Sequence, residues 1–376
     1  MIATALLALT VGAIVYCGLT VTAAWRYLQA APPPLARTPP ISVLKPLHGV
    51  DEGLERNLET FFAQAYPAFE LLFAVRSADD PAIALVERLQ QRHPHVPSQL
   101  LVTGEPPYAN AKVFSLDRML SAARHDLVVM SDSDIRVTPD LLRTIAAEFQ
   151  DPQLGLATCP YRAVPGPSLW STLEAVGLNT EFLGGVLVAR LLDGMKFALG
   201  PTIAARRDAL VRIGGFDRLQ RYLAEDFVMG SLVAQAGYRV ILSSYVIEHR
   251  IGAQPLGANV EHRLRWNRST RRSRPWGYVG QLFTNPLPLA LLLVAARPGW
   301  WPIAAVTVLA RAAAAWATAG FVLHDPLTRR RWYLLPAQDL ASFAAWAAGF
   351  FGNTIRWRGR RYYLRPDGTF DLLARD

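Results

Sequence analysis

The first constraint on this chain is an uncharged stretch of 24 residues from Ile2 to Trp25. At about 1.5 Å per helical residue, it exceeds the roughly 30 Å hydrocarbon core of a bilayer. A cleaved signal peptide would have a basic segment before a shorter apolar core, and no basic residue precedes this stretch. We therefore predict a retained transmembrane anchor over residues 1–28.

The residues after the anchor indicate its orientation. Arg26 and Arg37 follow the apolar stretch, so the positive-inside rule places the next domain in the cytoplasm and the protein in the inner (cytoplasmic) membrane. Residues 29–40 contain five prolines, which predicts a stiff, extended linker.

Apolar sequence returns over residues 275–355, which we expect to form C-terminal membrane segments of a multi-pass protein. Pro275 to Ala296 has no charge, and Gly299 to Leu323 has only Arg311. These two segments predict a helical hairpin that turns at Pro298 and Gly299. Leu340 to Ile355 is uncharged but too short to span comfortably, and is expected to be re-entrant or interfacial. The number of spans stays open, and residues 356–376 are expected to form a basic, cytoplasmic-type tail.

Composition narrows the class of partner. Only Lys45, Lys112 and Lys196 among 39 basic residues are lysines, and the net charge is +9. The arginines cluster beside apolar segments and no nucleic-acid motif is present, so lipid headgroups are the expected partners rather than nucleic acid. The two cysteines exclude a disulfide scaffold.

Residues 41–274 alternate strand-like and helix-like runs, which predicts an α/β domain with a mostly parallel sheet. Ligands bind at the carboxyl ends of the strands in such sheets. The strand-like runs are Ile41–Leu44, Glu70–Val75, Gln99–Val102 and Asp126–Met130, and the helix-like runs are Leu54–Gln64, Asp79–Gln91 and Lys112–Ala123. Within the domain, residues 168–200 are rich in Leu, Val and Gly with scattered charges; a pair of in-plane interfacial helices and an ordinary buried helix both fit.

Two carboxylates, Asp132 and Asp134, directly follow the last of these strands. Carboxylates so close repel each other unless a cation or several donors neutralise them. Mg²⁺ typically takes one or two carboxylates together with substrate phosphates, and Mn²⁺ suits the same ligands. The alternative is a solvated turn, in which Asp and Ser are common.

Two further acidic positions have both a structural and a functional interpretation. Asp80 follows a strand and precedes Pro81, so it is either a helix N-cap or a ligand for the base or ribose of a nucleotide. Asp226 lies in an acidic pair that opens an apolar helical run. It either complements the helix dipole or acts as a general base.

A basic stripe precedes the predicted hairpin. It includes His262, Arg265 and Trp266 and continues through further arginines to Arg274. One interpretation is a set of headgroup-binding arginines at the membrane boundary. In the other, Arg265 stabilises a leaving diphosphate and Trp266 forms a stacking wall. Both interpretations can be correct at the same time.

The order of these motifs resembles that of inverting glycosyltransferases with the GT-A fold, which is Rossmann-like, and most closely the ceramide glucosyltransferases. The resemblance spans nearly the whole chain. It is carried by Lys45-Pro46-Leu47-x-Gly49-x-Asp51, Asn57-Leu-Glu-Thr-Phe-Phe62, Asp79-Asp80-Pro81-Ala-Ile, Asp132-Ser133-x-Ile135-Arg136-Val137, Ala224-Glu-Asp226 and Ile355-x-Trp357-Arg-x-x-Arg.

The resemblance implies a transfer from a UDP-sugar that uses a divalent cation, Mg²⁺ or Mn²⁺. By position, Asp226 is the base, Asp132 and Asp134 bind the metal, and Asp132 also faces the donor. Asp80 contacts the nucleotide, while Lys45, Pro46 and Lys112 belong to the donor site. His262, Arg265 and Trp266 serve the diphosphate or the acceptor.

Within this group the chain is most similar to the hopanoid-biosynthesis-associated branch, which attaches N-acetylglucosamine to bacteriohopanetetrol. The run from Asn267 to Trp276 favours this branch. His262 departs from the usual Gln or Arg, and Asp134 stands where ceramide enzymes have Gly. The alternatives are glucosylation of ceramide from UDP-glucose, a processive polysaccharide synthase, and a non-catalytic scaffold or sensor.

Overall fold

The central sheet is made of strands that are apolar along most of their length, as expected when both faces are covered. The computed structural model describes residues 1–357 and 360–373. Its strands are β1 (Ile41–Pro46), β2 (Phe69–Val75), β3 (Ser98–Val102), β4 (Leu127–Ser131), β5 (Ile135–Arg136), β6 (Leu154–Thr158), β7 (Tyr161–Val164), β8 (Thr202–Arg206), β9 (Arg239–Leu242), β10 (Ile247–Arg250), β11 (Thr354–Trp357), β12 (Arg360–Leu364) and β13 (Phe370–Leu372).

Seven strands form the main sheet in the order β3-β2-β1-β4-β8-β6-β9. Only β8 runs antiparallel to its neighbours within it, so the predicted mostly parallel α/β sheet is confirmed. The carboxyl ends of β1, β2 and β4 share one edge. As expected, this edge gathers the chain segments that carry Lys45, Asp80 and Asp132. A second sheet, β5-β10-β7, lies beyond it and brings β10 next to β5, the short strand that follows Asp134.

Helices pack against the sheet through apolar faces, as Leu54, Leu58, Phe61 and Phe62 do in the first helix of the domain. The helices of the α/β domain are α2 (Leu54–Phe62), α3 (Ala82–Arg92), α4 (Ala111–Ala122), α5 (Leu141–Glu148), α8 (Arg207–Arg212), α9 (Glu225–Gln235) and α10 (Leu256–Ser273). The membrane-side helices are α1 (Ile2–Leu28), α6 (Leu169–Gly177), α7 (Leu183–Asp193), α11 (Pro275–Gly280), α12 (Pro286–Ala296), α13 (Trp301–Ala315), α14 (Pro326–Arg330) and α15 (Leu335–Gly349).

Three helices in the described part of the chain are long and apolar enough to cross a membrane: Ile2–Leu28, Leu169–Asp193 and Pro298–Val322. A fourth candidate span consists of two helices, Pro275–Thr284 and Pro286–Ala296. They are long and apolar enough only when taken together, and the chain bends by 63° between them. The protein is therefore membrane-associated. The predicted hairpin is present, since α12 packs on α13 and the chain turns at Pro298–Trp300.

The structure differs from the expectation of an in-plane helix pair over residues 168–200. Helices α6 and α7 join through a π-helical turn, Leu178–Phe182, into one helix of 25 residues. This helix packs against α1 and α15, and 61% of its most apolar stretch is buried within the protein. The alternative of a buried helix therefore describes it, and its length also permits a membrane span.

The C-terminal part also differs from the expected basic tail. Helix α15 ends at Gly349, before the predicted limit of the membrane segment, and the chain then enters the antiparallel sheet β11-β12-β13. Tyr362, Leu364 and Phe370 are buried there with Leu223 of the catalytic domain. Arg358 and residues 374–376 of the predicted tail lie outside the described residues.

Removal of residues 1–40 should leave a protein that still associates with membranes. Helix α1 packs against α7, α12 and α13, but these helices keep their own apolar surfaces when α1 is absent. We expect the truncated chain to remain in the membrane pellet after a carbonate wash, like the full-length chain. Its recovery as a soluble, detergent-free monomer would contradict the C-terminal membrane assignment.

Candidate active site

One cavity of about 800 Å³ runs from the carboxyl edge of the main sheet to the membrane helices. Its walls come from both parts of the protein, since Tyr16 and Leu19 of α1 line it together with Asp132 and Asp226. Of the ten site residues predicted from the sequence, all of them described, eight line this cavity. They are Pro46, Lys112, Asp132, Asp134, Asp226, His262, Arg265 and Trp266.

Lys112 holds two carboxylates together at the sheet edge. Its Nζ lies 2.7 Å from Oδ1 of Asp132 and 3.4 Å from Oε1 of Glu225. Burial disfavours the charged form of Lys112, but Asp132 and Glu225 outweigh it and raise the pKa of the amino group above its ordinary value. This cation therefore connects the predicted donor site to the start of α9, which carries Asp226.

Asp134 pairs with a residue that the sequence patterns did not single out, His249 of β10. The Nε2 atom of His249 lies 3.1 Å from Oδ2 of Asp134. Burial alone would raise the pKa of Asp134, but the charge and hydrogen bond of His249 lower it; the same pair raises the pKa of His249 against the effect of burial. His249 was missed because it stands alone in a strand, and only the second sheet brings it to Asp134.

The residues at this edge fit a divalent cation that is completed by a ligand. Oδ1 of Asp134 and Nδ1 of His249 are buried without a hydrogen-bond partner among the described residues. No cluster of three or more His, Cys, Asp or Glu side chains suited to hold a metal occurs in residues 1–357 and 360–373. A cation at Asp132 and Asp134 would therefore need oxygens from substrate phosphates, which is common for Mg²⁺.

Asp226 is the second residue of α9 and faces the cavity. Burial is the main cause that raises the pKa of its carboxyl to about 7, and the neighbouring charge of Glu225 adds to it. Gly200 approaches closely, since a Cβ there would lie 2.9 Å from Oδ2 of Asp226. A carboxylate with a pKa near neutrality is suited to accept a proton from a hydroxyl.

Asp80 lies behind the cavity, where its side chain is 6% exposed. Oδ1 accepts a hydrogen bond from the backbone N–H of Ala82, which is the predicted capping geometry. Both oxygens also accept from the N–H of Gly49, each at 3.1 Å. The carboxylate thereby fixes the loop that places His48 in the lining of the cavity.

Lys45 does not line the cavity, although the resemblance places it in the donor site. It is fully buried, and its ammonium lies 3.8 Å from the centre of the Phe61 ring. Its Nζ donates to the backbone carbonyl of Asp132 and to Oγ of Ser131 at 3.3 Å. Burial is the main cause that lowers the pKa of Lys45 to about 7. Lys45 therefore stabilises the turn that carries Asp132 through hydrogen bonds from the protein interior.

Helix α10 brings His262 and Trp266 to the opposite wall. Nδ1 of His262 lies 2.6 Å from Oε1 of Glu174, a buried residue of α6 that the sequence patterns did not reveal. The Trp266 ring lies 5.2 Å from the His262 ring and 5.7 Å from the Phe182 ring. Arg265 lines the cavity beside them.

Three further arginines of the basic stripe bind the chain at and beyond the end of α15. Arg268 donates to the carbonyls of Phe351 and Thr354 at 3.1 and 2.6 Å. Arg271 donates to the carbonyls of Phe350 and Gly352, which are at and beyond the end of the helix. Arg271 and Arg272 both donate to the side-chain oxygen of Asn353. These three arginines therefore attach α15 to α10, and the expectation of free headgroup-binding arginines is not met by them.

A mostly parallel sheet with acidic residues at its carboxyl edge, joined by one cavity to membrane helices, is the arrangement of a GT-A glycosyltransferase. The family model of glycosyl transferase family 21 matches residues 5–370. The chain belongs to glycosyl transferase family 21. It spans less than half the length of ceramide glucosyltransferase 1 of Caenorhabditis elegans, to which it is similar.

Two relatives are similar to this chain in sequence, and one solved structure shares its fold. The chain is 32% identical over 209 residues to ceramide glucosyltransferase 1 of Caenorhabditis elegans. The matched region covers 55% of this chain and 44% of that protein. It is 22% identical over 339 residues to ceramide glucosyltransferase 3 of the same organism, covering 88% and 74%. The mannosyltransferase PcManGT from Pyrobaculum calidifontis, solved with GDP-Man and Mn²⁺, shares the fold at a TM-score of 0.56 and 21% identity, covering 93% of this chain and 99% of that one.

Proposed function

We propose that the protein transfers N-acetylglucosamine from UDP-N-acetylglucosamine to a hydroxyl of bacteriohopanetetrol, as a step of hopanoid biosynthesis. The observation that carries the transfer to a lipid is the cavity that reaches from Asp132 and Asp226 to Tyr16 and Leu19 of the N-terminal helix. A donor at the sheet edge and an amphipathic acceptor from the bilayer can therefore meet in the same cavity. The resemblance to the hopanoid-associated branch supports this choice of sugar and acceptor.

The reaction is a single displacement in which Asp226 is the base. Its carboxylate accepts the proton of the acceptor hydroxyl as the oxygen attacks the anomeric carbon. The attack comes from the face opposite the leaving UDP, so the configuration inverts without a covalent sugar–enzyme intermediate. Arg265 and Lys112 lie in the same cavity, where their charges stabilise the departing diphosphate.

Asp132 and Asp134, with His249 beside them, are the residues that would hold a divalent cation. Such a cation would neutralise the negative charge of the donor diphosphate. The Mn²⁺ in the solved complex of PcManGT with GDP-Man supports this proposal. Mg²⁺ or Mn²⁺ suits the carboxylate oxygens of Asp132 and Asp134, and His249 pairs with Asp134 at 3.1 Å.

We also propose that the protein is a multi-pass component of the inner membrane with its catalytic domain in the cytoplasm. Arg26 and Arg37, which follow the first candidate span, support this orientation. UDP-sugars are cytoplasmic metabolites in this scheme, and the carboxyl edge of the sheet would face them.

Glucosylation of ceramide from UDP-glucose is the second candidate, favoured by the matches to two ceramide glucosyltransferases of Caenorhabditis elegans. Mass spectrometry of total lipids from cells with and without the protein distinguishes the two. One added N-acetylhexosamine on a hopanoid supports the proposal, whereas one hexose on ceramide selects the alternative. A ladder of several sugars would instead indicate a processive synthase.

The rate of transfer should rise with pH through about pH 7. The pKa of Asp226 is raised to about 7, so below that value the carboxyl is protonated and cannot accept a proton. We expect roughly a tenfold loss per pH unit on the acid side and a plateau on the alkaline side. The measurement is initial rate against pH at saturating donor, with donor affinity followed over the same range. A flat rate between about pH 5 and pH 8 would contradict a base with this pKa.

A further inference from the structure

The membrane end of the cavity contains a carboxylate that the reaction scheme does not use. Glu181 lines the cavity within the π-helical turn between α6 and α7. A carboxylate in a candidate membrane span is costly and usually marks a functional site, and π-helical turns are frequent at such sites. The role of Glu181 therefore needs an explanation.

Only one of the two carboxylate oxygens of Glu181 accepts hydrogen bonds from the described residues. Oε1 accepts from Oγ1 of Thr284 at 3.1 Å and from Nδ2 of Asn285 at 2.9 Å. Both donors lie at the break of the bent helix pair, where irregular backbone beside a cavity is tolerated. Oε2 accepts no hydrogen bond from the described residues, so this oxygen remains for a ligand.

Tyr16 of α1 supplies a second free polar group next to it. Gly185 lies one helical turn after Glu181, on the same face of the helix, and a Cβ there would be 3.6 Å from the Tyr16 hydroxyl. All three residues line the cavity. The Tyr16 hydroxyl makes no hydrogen bond with the described residues. An aromatic contact continues from Phe182, beside Glu181, to Trp266 of the predicted acceptor wall.

The cavity that contains this polar pair has apolar and basic walls. Leu19, Val188, Leu192 and Phe283 line it, and Arg263 and Arg274 line it as well. A ligand there must combine an apolar body with a hydrogen-bond donor, because Glu181 can only accept when ionised. An unpaired carboxylate oxygen in a partly apolar setting strongly favours such a donor.

From this arrangement we propose that Glu181 and Tyr16 form a subsite for a second hydroxyl of the lipid acceptor, separate from the hydroxyl that is glycosylated. This inference rests on the proposed lipid acceptor and deepens it. The acceptor is a polyhydroxylated amphiphile, and α1 contributes to its recognition as well as to membrane attachment. Glu181 and Tyr16 act as specificity-determining residues and take no part in proton transfer.

The test compares two acceptors, a long-chain alcohol and the matching long-chain vicinal diol. The parent enzyme should prefer the diol. Glu181→Gln keeps an oxygen for Asn285 but removes the charge, and Tyr16→Phe removes only a hydroxyl. Glu181→Gln should raise the KM for the diol by roughly 10-fold or more, as expected for a hydrogen bond to a charged group, and Tyr16→Phe by roughly 2- to 10-fold, as expected for a neutral one. In both variants kcat and UDP-sugar affinity should stay within about 2-fold of the parent. The preference over the alcohol should disappear.

Glu87→Gln and Tyr333→Phe are the matched controls, since both side chains are exposed and lie outside the cavity lining. Gly185→Ala is a third probe, because its methyl fits in ordinary contact with the Tyr16 hydroxyl and should reduce diol affinity without unfolding the helix. An unchanged diol preference in Glu181→Gln and Tyr16→Phe would overturn the subsite. Equal losses for both acceptors would do the same, because they would indicate a structural role.

Equilibrium binding of a radiolabelled diol separates the subsite from the proposed function. If the parent binds the diol but transfers no sugar to either acceptor, the proposed function fails. Loss of that binding in the two variants would then still support the subsite. If the parent transfers sugar to both acceptors and binds them equally, the subsite fails and the proposed function stands.

Discussion

Replacement of Asp226 by asparagine is expected to lower sugar transfer by roughly 10²–10⁴-fold, the usual contribution of a general base. The amide has nearly the same shape as the carboxyl, so folding, membrane insertion and UDP-sugar affinity should stay close to those of the parent. The measurement is UDP release and UDP affinity on the same preparation. Lost turnover with intact UDP binding supports Asp226 as the base.

The interpretation that Asp226 only complements the dipole of α9 makes a different prediction. Loss of the charge would then lower stability by about 0.3–1 kcal/mol, and turnover would survive the substitution. Asp217→Asn is a matched control, since Asp217 is exposed and lies outside the cavity lining. Near-normal turnover of the Asp226 variant would remove Asp226 from the reaction.

Removal of divalent cations should abolish transfer, and added Mg²⁺ or Mn²⁺ should restore it. The physical reason is the pair Asp132 and Asp134 at the sheet edge, where a diphosphate would otherwise add to negative charge already present. The measurement is the initial rate against free metal concentration after treatment with a chelator. Full activity in excess chelator would exclude the metal assignment.

Substitution of His249 by alanine should raise the metal concentration needed for half-maximal rate. Loss of groups that only support ligands costs about 10–100-fold in metal affinity, and loss of His249 should cost at least the lower value. His95→Ala is the matched control, because His95 is exposed on the far loop before β3. An unchanged metal dependence in the His249 variant would show that this imidazole neither binds the cation nor positions Asp134 for it.

The fold and much of the site were predictable because their signals are local. Apolar runs that end in acidic residues mark parallel strands and their carboxyl edge, so the mostly parallel sheet was predicted correctly. Asp132 and Asp226 both line the cavity, and their roles stay predictions. The structure of residues 168–200 was harder to predict, because the same pattern of apolar and charged residues fits both a buried helix and an interfacial helix. The packing of α1 against α7 decides between them.

Long-range contacts account for what the sequence did not indicate. Lys45 looks like a site residue because it follows a strand, but the arrangement of β1 beside β4 buries it under the turn of Asp132. His249 and Glu174 carry no motif, and they reach the cavity only through a second sheet and a helix whose partners are far away in the chain. No local sequence pattern predicts such long-range contacts.

The small sheet β11-β12-β13 has a consequence for the order of biosynthesis. The N–H of Phe370 donates to the carbonyl of Arg221, and Thr369 pairs with Tyr222, a few residues before Asp226. The support for the loop that carries the base is thus translated after every candidate membrane helix. A nascent chain can insert all these helices before that loop is secured, so the enzyme gains its complete active site only once membrane integration is finished.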